Sequence, residues 1–282
     1  MSPKNTRNAS SPVPANTRSK ALELPSVTLS EHEGVRYLHL GSVWIQGGMR
    51  ISKPQVVEID YVQRMLASLL WLPTASLGQG QAVQLGLGAG ALTRFTAQQL
   101  KMATTAVEIN PQVVQANRIF FALPDVAEEV LGDAADWLAY AQRQGQAQAQ
   151  AHPTPARVRL LHVDLYDHEA AAPVLDDVDF YRACHAVLES GGVMSVNLFG
   201  RHASFHDSMR RIATAFGSDQ VWSLRPTREG NTVVVAGRDV VVPGREELKQ
   251  RAVALEARFL KLGLRAREWL RMVRPYQPVQ MQ

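Results

Sequence analysis

The sequence contains one cysteine, Cys184, in 282 residues. A single thiol excludes an internal disulfide and a cysteine-based zinc site, so we expect a cytoplasmic protein without a metal centre. No uninterrupted apolar run approaches the roughly 18 residues that a membrane span needs. The N-terminus also lacks the apolar segment of a secretory signal. We therefore expect a globular protein with no membrane partner.

In the middle of the chain, acidic residues outnumber basic ones. The net charge is +4, but residues 1–22 carry +4 and residues 241–282 carry +5, which leaves −5 on residues 23–240. A basic core would indicate nucleic acid. An acidic core instead predicts no nucleic-acid partner and a weak attraction for a small cationic substrate.

Four regions follow from composition and periodicity. Residues 1–24 are rich in Ser, Asn and Pro without periodicity, which predicts a disordered tail. Residues 25–55 alternate as short strands, the last at Val43–Gln46, and predict a small N-terminal β region. Residues 56–240 form the main domain, and residues 241–282 predict a basic amphipathic helix over Glu246–Met272. Within the main domain, the low-complexity residues 142–156 predict an inserted surface loop.

Strands and helices alternate from Ala82 to Phe216, which predicts an α/β fold with a doubly wound, mostly parallel sheet. Two late strands, Val221–Leu224 and Thr232–Ala236, follow each other without a helix between them. Such a pair predicts an antiparallel edge. That edge favours the class I methyltransferase-like Rossmann fold over the sheet of a dehydrogenase.

Three features at successive strand ends indicate a nucleotide site. Gly86, Gly88 and Gly90 lie between a strand and a helix, where glycine allows a ligand close to the backbone. Glu108 ends the next strand about 20 residues later, where an acid can accept both ribose hydroxyls. Asp133 follows the third strand and could accept an adenine amine. The loop alone could be a tight turn, and Asp133 alone could be a helix N-cap. NAD(P) also remains possible, since Gly86-x-Gly88-x-x-Ala91 fits a dinucleotide motif.

The order of these motifs resembles the spermidine synthases, the polyamine aminopropyltransferases, from about Val43 to Ala236. The resemblance rests on a glutamine after the N-terminal β region, a tyrosine-bearing helix, the glycine loop, two strand-end acids, an Asp-x-x-Asp motif and a polar end to strand five. In chain order these are Gln46, Tyr61, Gly86–Gly90, Glu108, Asp133, Asp164 with Asp167, and Asn197.

The resemblance implies aminopropyl transfer from decarboxylated S-adenosylmethionine to a polyamine such as putrescine. It implies Asp164 as proton acceptor, Asp167 as the anchor of the cationic amine, and Tyr166 as a hydroxyl partner. It adds Gln46 to the nucleotide-binding residues. It also implies substrate contacts from Tyr61, Gln63 and Asn197, and a homo-oligomer.

Four positions depart from the family pattern. Ala89 stands where the glycine loop usually carries an aspartate that binds the aminopropyl amine. Gln63 aligns with the family's His or Gln, and Arg64 aligns with its Glu. Tyr61 lies one position early, a rotation of about 100° on a helix, and His168 replaces a proline. These departures keep two alternatives open: a methyltransferase that uses ordinary S-adenosylmethionine, and a nucleotide-binding homologue without catalysis.

Overall fold

The computed structural model describes residues 24–151, 158–165, 175–199 and 204–278. Nearly all of the expected N-terminal tail therefore lies outside the described residues. The first three strands form a small antiparallel sheet in the order β1-β2-β3. Its strands are β1 (Val27–His32), β2 (Val35–Leu40) and β3 (Ile45–Arg50).

The third strand differs from its expected bounds of Val43–Gln46. It begins at Ile45 and continues through Gly47 and Gly48, because both glycines pair with β2 opposite Leu38 and Tyr37. The strand therefore carries a flat stretch of backbone without side chains, which lets the main domain approach it closely.

The main domain is built on an eight-stranded sheet in the order β11-β9-β10-β8-β7-β4-β5-β6. The strands are β4 (Gln81–Leu85), β5 (Ala103–Glu108), β6 (Glu128–Leu131), β7 (Val158–Val163), β8 (Leu188–Phe199), β9 (Val221–Ser223), β10 (Asn231–Gly237) and β11 (Arg274–Pro275). Strands β4 to β8 run parallel to one another, whereas β10 pairs antiparallel with β8, β9 with β10, and β11 with β9. The predicted parallel sheet with an antiparallel edge is confirmed.

Helices cover both faces of this sheet. They are α1 (Asp60–Met65), α2 (Ala91–Arg94), α3 (Pro111–Phe120), α4 (Ala134–Ala151), α5 (Val178–Val187), α6 (Ser204–Phe216), α7 (Arg245–Phe259) and α8 (Ala266–Trp269). One apolar core joins one face of the sheet to α1, α2, α7 and α8. A second core joins the other face to α4, α5 and α6. A third, smaller core joins the N-terminal sheet to the glycine loop and α3.

Two local expectations, the loop at residues 142–156 and the single helix over Glu246–Met272, were wrong. Residues 142–151 are helical rather than a loop, because Gln and Ala are good helix formers and α4 runs on to Ala151; residues 152–156 lie outside the described residues. The C-terminal helix ends at Phe259, since Gly263 adopts a left-handed φ of 99° after a 3₁₀ turn. The first helix keeps α geometry only to Met65 and then tightens into a 3₁₀ turn.

The order in which successive strands are added to the sheet reverses between β4 and β7. Strand β4 pairs with β5 on one side and with β7 on the other. The chain segments that follow β4 and β7 therefore lead toward opposite edges of the sheet. In open α/β sheets, ligands bind outside the carboxyl ends of the strands at such a switch point. The glycine loop follows β4 and Asp164 follows β7, so both lie at this position.

Candidate active site

The glycine loop after β4 requires glycine at two positions. Gly86 has a φ of 85°, and a Cβ there would overlap the carbonyl oxygen of Asp164. Gly90 has a φ of 67°, and a Cβ there would lie 2.5 Å from Asn117 Oδ1. A side chain at either position would therefore meet both backbone strain and steric overlap. Because these two positions have no side chain, the loop can lie directly against Asp164 and Asn117.

Three buried polar side chains that the sequence analysis missed hold this loop. The Gln84 amide donates to the Gly86 carbonyl at 2.7 Å and accepts from Thr93 Oγ1 at 2.6 Å. Asn117 Nδ2 donates to the Gly88 carbonyl at 2.7 Å. Arg94 donates to the Ala89 carbonyl at 2.6 Å, and burial lowers the pKa of its guanidinium to about 10. A glutamine inside the apolar strand Gln81–Leu85 was the one signal that could have indicated this support.

Glu108 faces the glycine loop from the end of β5. Its Oε2 accepts the Leu87 N–H at 2.9 Å, and its Oε1 accepts the Asn110 N–H at 2.9 Å. Burial raises the pKa of the Glu108 carboxyl, although these backbone bonds partly oppose the shift. An ionised carboxylate has about four lone-pair sites. The lone-pair sites that the backbone does not use remain for a ligand, and a carboxylate with free acceptor sites suits a vicinal diol.

Asp133 lies at the same edge of the sheet but has a local role. Its Oδ1 accepts the backbone N–H groups of Ala135 at 2.7 Å and of Asp136 at 3.2 Å, which makes it the N-cap of α4. The neighbouring Gly132 N–H donates to the Glu108 carbonyl at 2.9 Å, so Asp133 stays next to Glu108. Adenine recognition by Asp133 stays a prediction beside the capping role that the geometry shows.

Asp164 is held from two sides at the end of β7. Tyr61 Oη donates to its Oδ2 at 3.1 Å, and Asn197 Nδ2 donates to its Oδ1 at 3.0 Å. Burial raises the pKa of the Asp164 carboxyl above its ordinary value, although the Asn197 and Tyr61 bonds partly oppose the shift. Tyr61 therefore reaches this site despite its early position in the helix.

A cavity lies between the N-terminal sheet and the glycine loop. It is lined by residues of β3, α1, β4, the glycine loop, α2 and the end of β7: Gln46, Gly47, Gly48, Tyr61, Val62, Gln84, Leu87, Gly88, Ala89, Ala91, Leu92 and Asp164. A Cβ at Gly47 would lie 2.6 Å from Ala89 Cβ. The two sheets thus approach closely because both positions are small. Within the described part of the chain, the buried Gln46 Nε2 has no hydrogen-bond partner.

Gln63 does not join this group. Its Nε2 donates to the Val57 carbonyl at 2.7 Å and packs near Gly263, away from the cavity lining. The side chain of Gln63 therefore lies toward the C-terminal segment, and its substrate contact stays a prediction. Tyr166 and Asp167 lie outside the described residues, and so does His168.

Residues 24–151, 158–165, 175–199 and 204–278 contain no group of three or more His, Cys, Asp or Glu side chains placed to hold a metal ion. In the same ranges no helix is both long enough and apolar enough to cross a bilayer.

Curated relatives share most of the chain. A polyamine aminopropyltransferase from Chromobacterium violaceum is 31% identical over 241 residues, which cover 84% of this chain and 85% of the relative. A polyamine aminopropyltransferase from Neisseria meningitidis serogroup A is 30% identical over 216 residues, covering 75% and 76% of the two chains. No protein-family model matches the chain.

Solved structures share the fold at lower identity. A probable spermidine synthase from Corynebacterium glutamicum aligns with a TM-score of 0.65 and 18% identity, covering 96% of this chain and 99% of that one. Human methyltransferase-like protein 13, in complex with SAH, aligns with a TM-score of 0.61 and 20% identity, covering 79% and 98%. At these identities the likeness concerns the fold alone.

Proposed function

The chain belongs to the polyamine aminopropyltransferase family, and we propose that it transfers an aminopropyl group from decarboxylated S-adenosylmethionine to a polyamine such as putrescine. The single observation that carries this proposal is the Asp164 carboxylate, held by Tyr61 and Asn197 beside the glycine loop. The remaining support comes from the groups that would hold each substrate.

The donor's adenosine fits the groups around the glycine loop. Glu108 keeps lone-pair sites for the ribose hydroxyls beside its bonds to Leu87 and Asn110. Gln46 offers a buried amide N–H₂ that is unsatisfied within the described residues, and such a group is costly unless a ligand accepts from it. Asp133 lies close enough to Glu108 to contribute to the same nucleotide site.

The acceptor amine fits Asp164. An unprotonated amine nitrogen attacks the methylene carbon beside the sulfonium sulfur, so that a carbon–nitrogen bond forms and the carbon–sulfur bond breaks. Methylthioadenosine leaves as a neutral thioether, and the proton of the amine passes to Asp164. A carboxyl whose pKa is raised by burial is a better proton acceptor than an ordinary aspartate, because its basicity lies nearer to neutral pH.

The charge of the cavity favours the decarboxylated donor over the ordinary one. Ala89 supplies no acid to the loop, but Asp164 and Tyr61 are the only ionisable groups among the described lining residues. Ordinary S-adenosylmethionine carries a carboxylate, which would meet the Asp164 charge without a cationic side chain in that lining to pair with it. The decarboxylated donor carries an ammonium and no carboxylate. Charge therefore supports aminopropyl transfer rather than methyl transfer.

Product analysis tests the proposal. The protein is incubated with each of the two donors and a panel of di- and triamines. We expect methylthioadenosine and an elongated amine from the decarboxylated donor. S-adenosylhomocysteine with a methylated amine would instead show a methyltransferase. Binding of a donor, seen as a thermal shift, with neither product would show a non-catalytic homologue.

The role of Asp164 is tested by Asp164→Asn. We expect turnover to fall by about 10²–10⁴-fold, the usual contribution of a general base. Asp176→Asn is a matched control, because Asp176 also accepts a tyrosine hydroxyl, that of Tyr181 at 2.7 Å, but lies outside the cavity lining. Unchanged turnover in Asp164→Asn would remove the assignment.

A further inference from the structure

Arg64 is a buried arginine next to the candidate site but outside its cavity lining. Its Nε and Nη2 donate to the two carboxylate oxygens of Asp60 at 3.0 and 2.7 Å. Its Nη1 donates to the Arg225 carbonyl at 2.6 Å. Arg64 therefore ties α1 to the segment between β9 and β10, 161 residues away in the chain.

That segment leads back to Asp164 through a series of hydrogen bonds. The Thr227 N–H donates to the Asn231 carbonyl at 2.7 Å, which closes the turn after Arg225. Asn231 Nδ2 donates to Asn197 Oδ1 at 3.2 Å. The other amide group of Asn197, Nδ2, donates to Asp164.

The opposite side of the series runs through α1 itself. Tyr61 lies one residue after Asp60 and donates to the second oxygen of Asp164. The two supports of the Asp164 carboxylate, Tyr61 and Asn197, thus belong to two segments that Arg64 joins. Together with the short backbone segments between these residues, the hydrogen bonds form a closed ring that includes the Asp164 carboxylate.

We propose that Arg64 is a positioning residue that sets the geometry of the Asp164 carboxylate through this ring; the inference rests on the proposed function of Asp164. Helix α1 has only six residues and no side-chain cap at Ile59, and so short a helix is marginal without tertiary contacts. The planar, five-donor guanidinium can bind Asp60 and a carbonyl simultaneously, whereas a lysine ammonium cannot reproduce the fork.

The ring also explains how a positively charged arginine can lie beside a site for cationic amines. Asp60 forms a two-bond ion pair with Arg64, which offsets the positive charge. The arginine can therefore brace the site without adding a full unpaired charge next to the substrate.

Loss of the brace has a defined effect on protonation. The bonds from Asn197 and Tyr61 lower the pKa of Asp164 against the larger effect of burial. If Arg64 is removed, both bonds lengthen and the pKa of Asp164 rises further. The acid limb of kcat/KM then moves to higher pH. The substrate amine also titrates, but it does so identically with the wild type and the variant. Among the described lining residues, Tyr61 is the only other titratable group that faces Asp164, so the difference between the two profiles reports on this carboxyl.

The test compares Arg64→Met with Arg251→Met. Arg251 is equally buried, with 9% of its surface exposed in both cases. It also pairs with an acid one turn earlier, Glu247, and donates to a distant carbonyl, that of Leu70 at 3.0 Å. Arg251 lies outside the cavity lining, so it matches the structural role of Arg64 without the connection to Asp164.

We expect both variants to lose stability to urea, and only Arg64→Met to change catalysis. Its kcat should fall by about 10–100-fold, the cost of a small misplacement, with the acid limb moved to higher pH. Binding of methylthioadenosine, measured by calorimetry, should stay unchanged. Arg64→Lys should behave like Arg64→Met. If Arg64→Met fails to fold, the milder Asp60→Asn, which weakens the fork, should show the same shift of the limb.

A double-variant cycle with Tyr61→Phe makes the test specific. Because Arg64 acts partly through Tyr61, the two substitutions together should move the acid limb by less than the sum of their separate shifts. An unchanged pH profile and kcat in Arg64→Met, as in Arg251→Met, would overturn the inference while Asp164→Asn stays inactive. Full turnover in Asp164→Asn would instead remove the role of Asp164 on which the inference rests, and a wild-type protein that forms no methylthioadenosine would remove the proposed function itself.

Discussion

Glu108→Gln is the most direct test of nucleotide binding. The carboxylate accepts the backbone N–H groups of Leu87 and Asn110, and its remaining lone-pair sites are available to the ribose diol. A glutamine has one acceptor oxygen, and its N–H₂ would face the backbone donor of either Leu87 or Asn110. At least one ribose hydroxyl then loses its acceptor.

The size of the effect follows from that lost bond. Hydrogen bonds to charged groups contribute about 1.5–3 kcal/mol, which corresponds to a roughly 10–150-fold weaker Kd at about 1.4 kcal/mol per tenfold change. The change in folding stability should be smaller. Burial already disfavours the charged Glu108 carboxylate, as the raised pKa shows, so removing the charge offsets part of the lost backbone bond.

Calorimetry with methylthioadenosine and its 2′-deoxy analogue measures this. The wild-type protein should bind the deoxy compound more weakly, and Glu108→Gln should discriminate far less between the two. Glu256→Gln is the control, since Glu256 accepts the Arg267 N–H at 2.9 Å and the Arg267 Nε at 2.7 Å in α7, outside the cavity lining. The reasoning is refuted if Glu108→Gln binds with unchanged Kd and still prefers the ribose.

Three further predictions concern Asp164 and the glycine loop. Once the ionisation of the substrate amine is divided out, the kcat/KM profile should rise with pH through a midpoint above the usual aspartate range, because burial raises the pKa of Asp164 and the ionised form accepts the proton; an enzyme ionisation near pH 4 would contradict this. Tyr61→Phe should move that midpoint to still higher pH, since it removes a bond that favours the charged form. Gly86→Ala should lose more unfolding free energy than Gly191→Ala in urea titrations. Both glycines have similar φ values of 85° and 80°, costing about 1–2 kcal/mol for an L-residue, but only Gly86 would also overlap a neighbouring atom. Equal losses would contradict the close approach of Asp164.

Features that depend on neighbouring residues in the chain could be predicted from the sequence. The alternation of apolar strands with helical periodicity predicted the parallel sheet, and the late strand pair predicted its antiparallel edge. The loop at Gly86–Gly90 and the acid at Glu108 follow from spacing within about 25 residues, because each lies at the end of a strand in the same βαβ unit. The capping role of Asp133 is equally local, since an N-cap contacts only the next three residues.

Only the tertiary structure decided which side chains meet across the fold. Helical phase alone turned Tyr61 by about 100° from the family's tyrosine, yet it reaches Asp164, which lies 103 residues later in the chain. Gln63 turns to the Val57 carbonyl instead. Arg64 depends on a carbonyl 161 residues away. Side-chain direction on a short helix depends on how that helix is rotated against its neighbours, and local periodicity does not contain that rotation. It is set by packing and distant hydrogen bonds, which exist only once the two sheets and the C-terminal segment have come together.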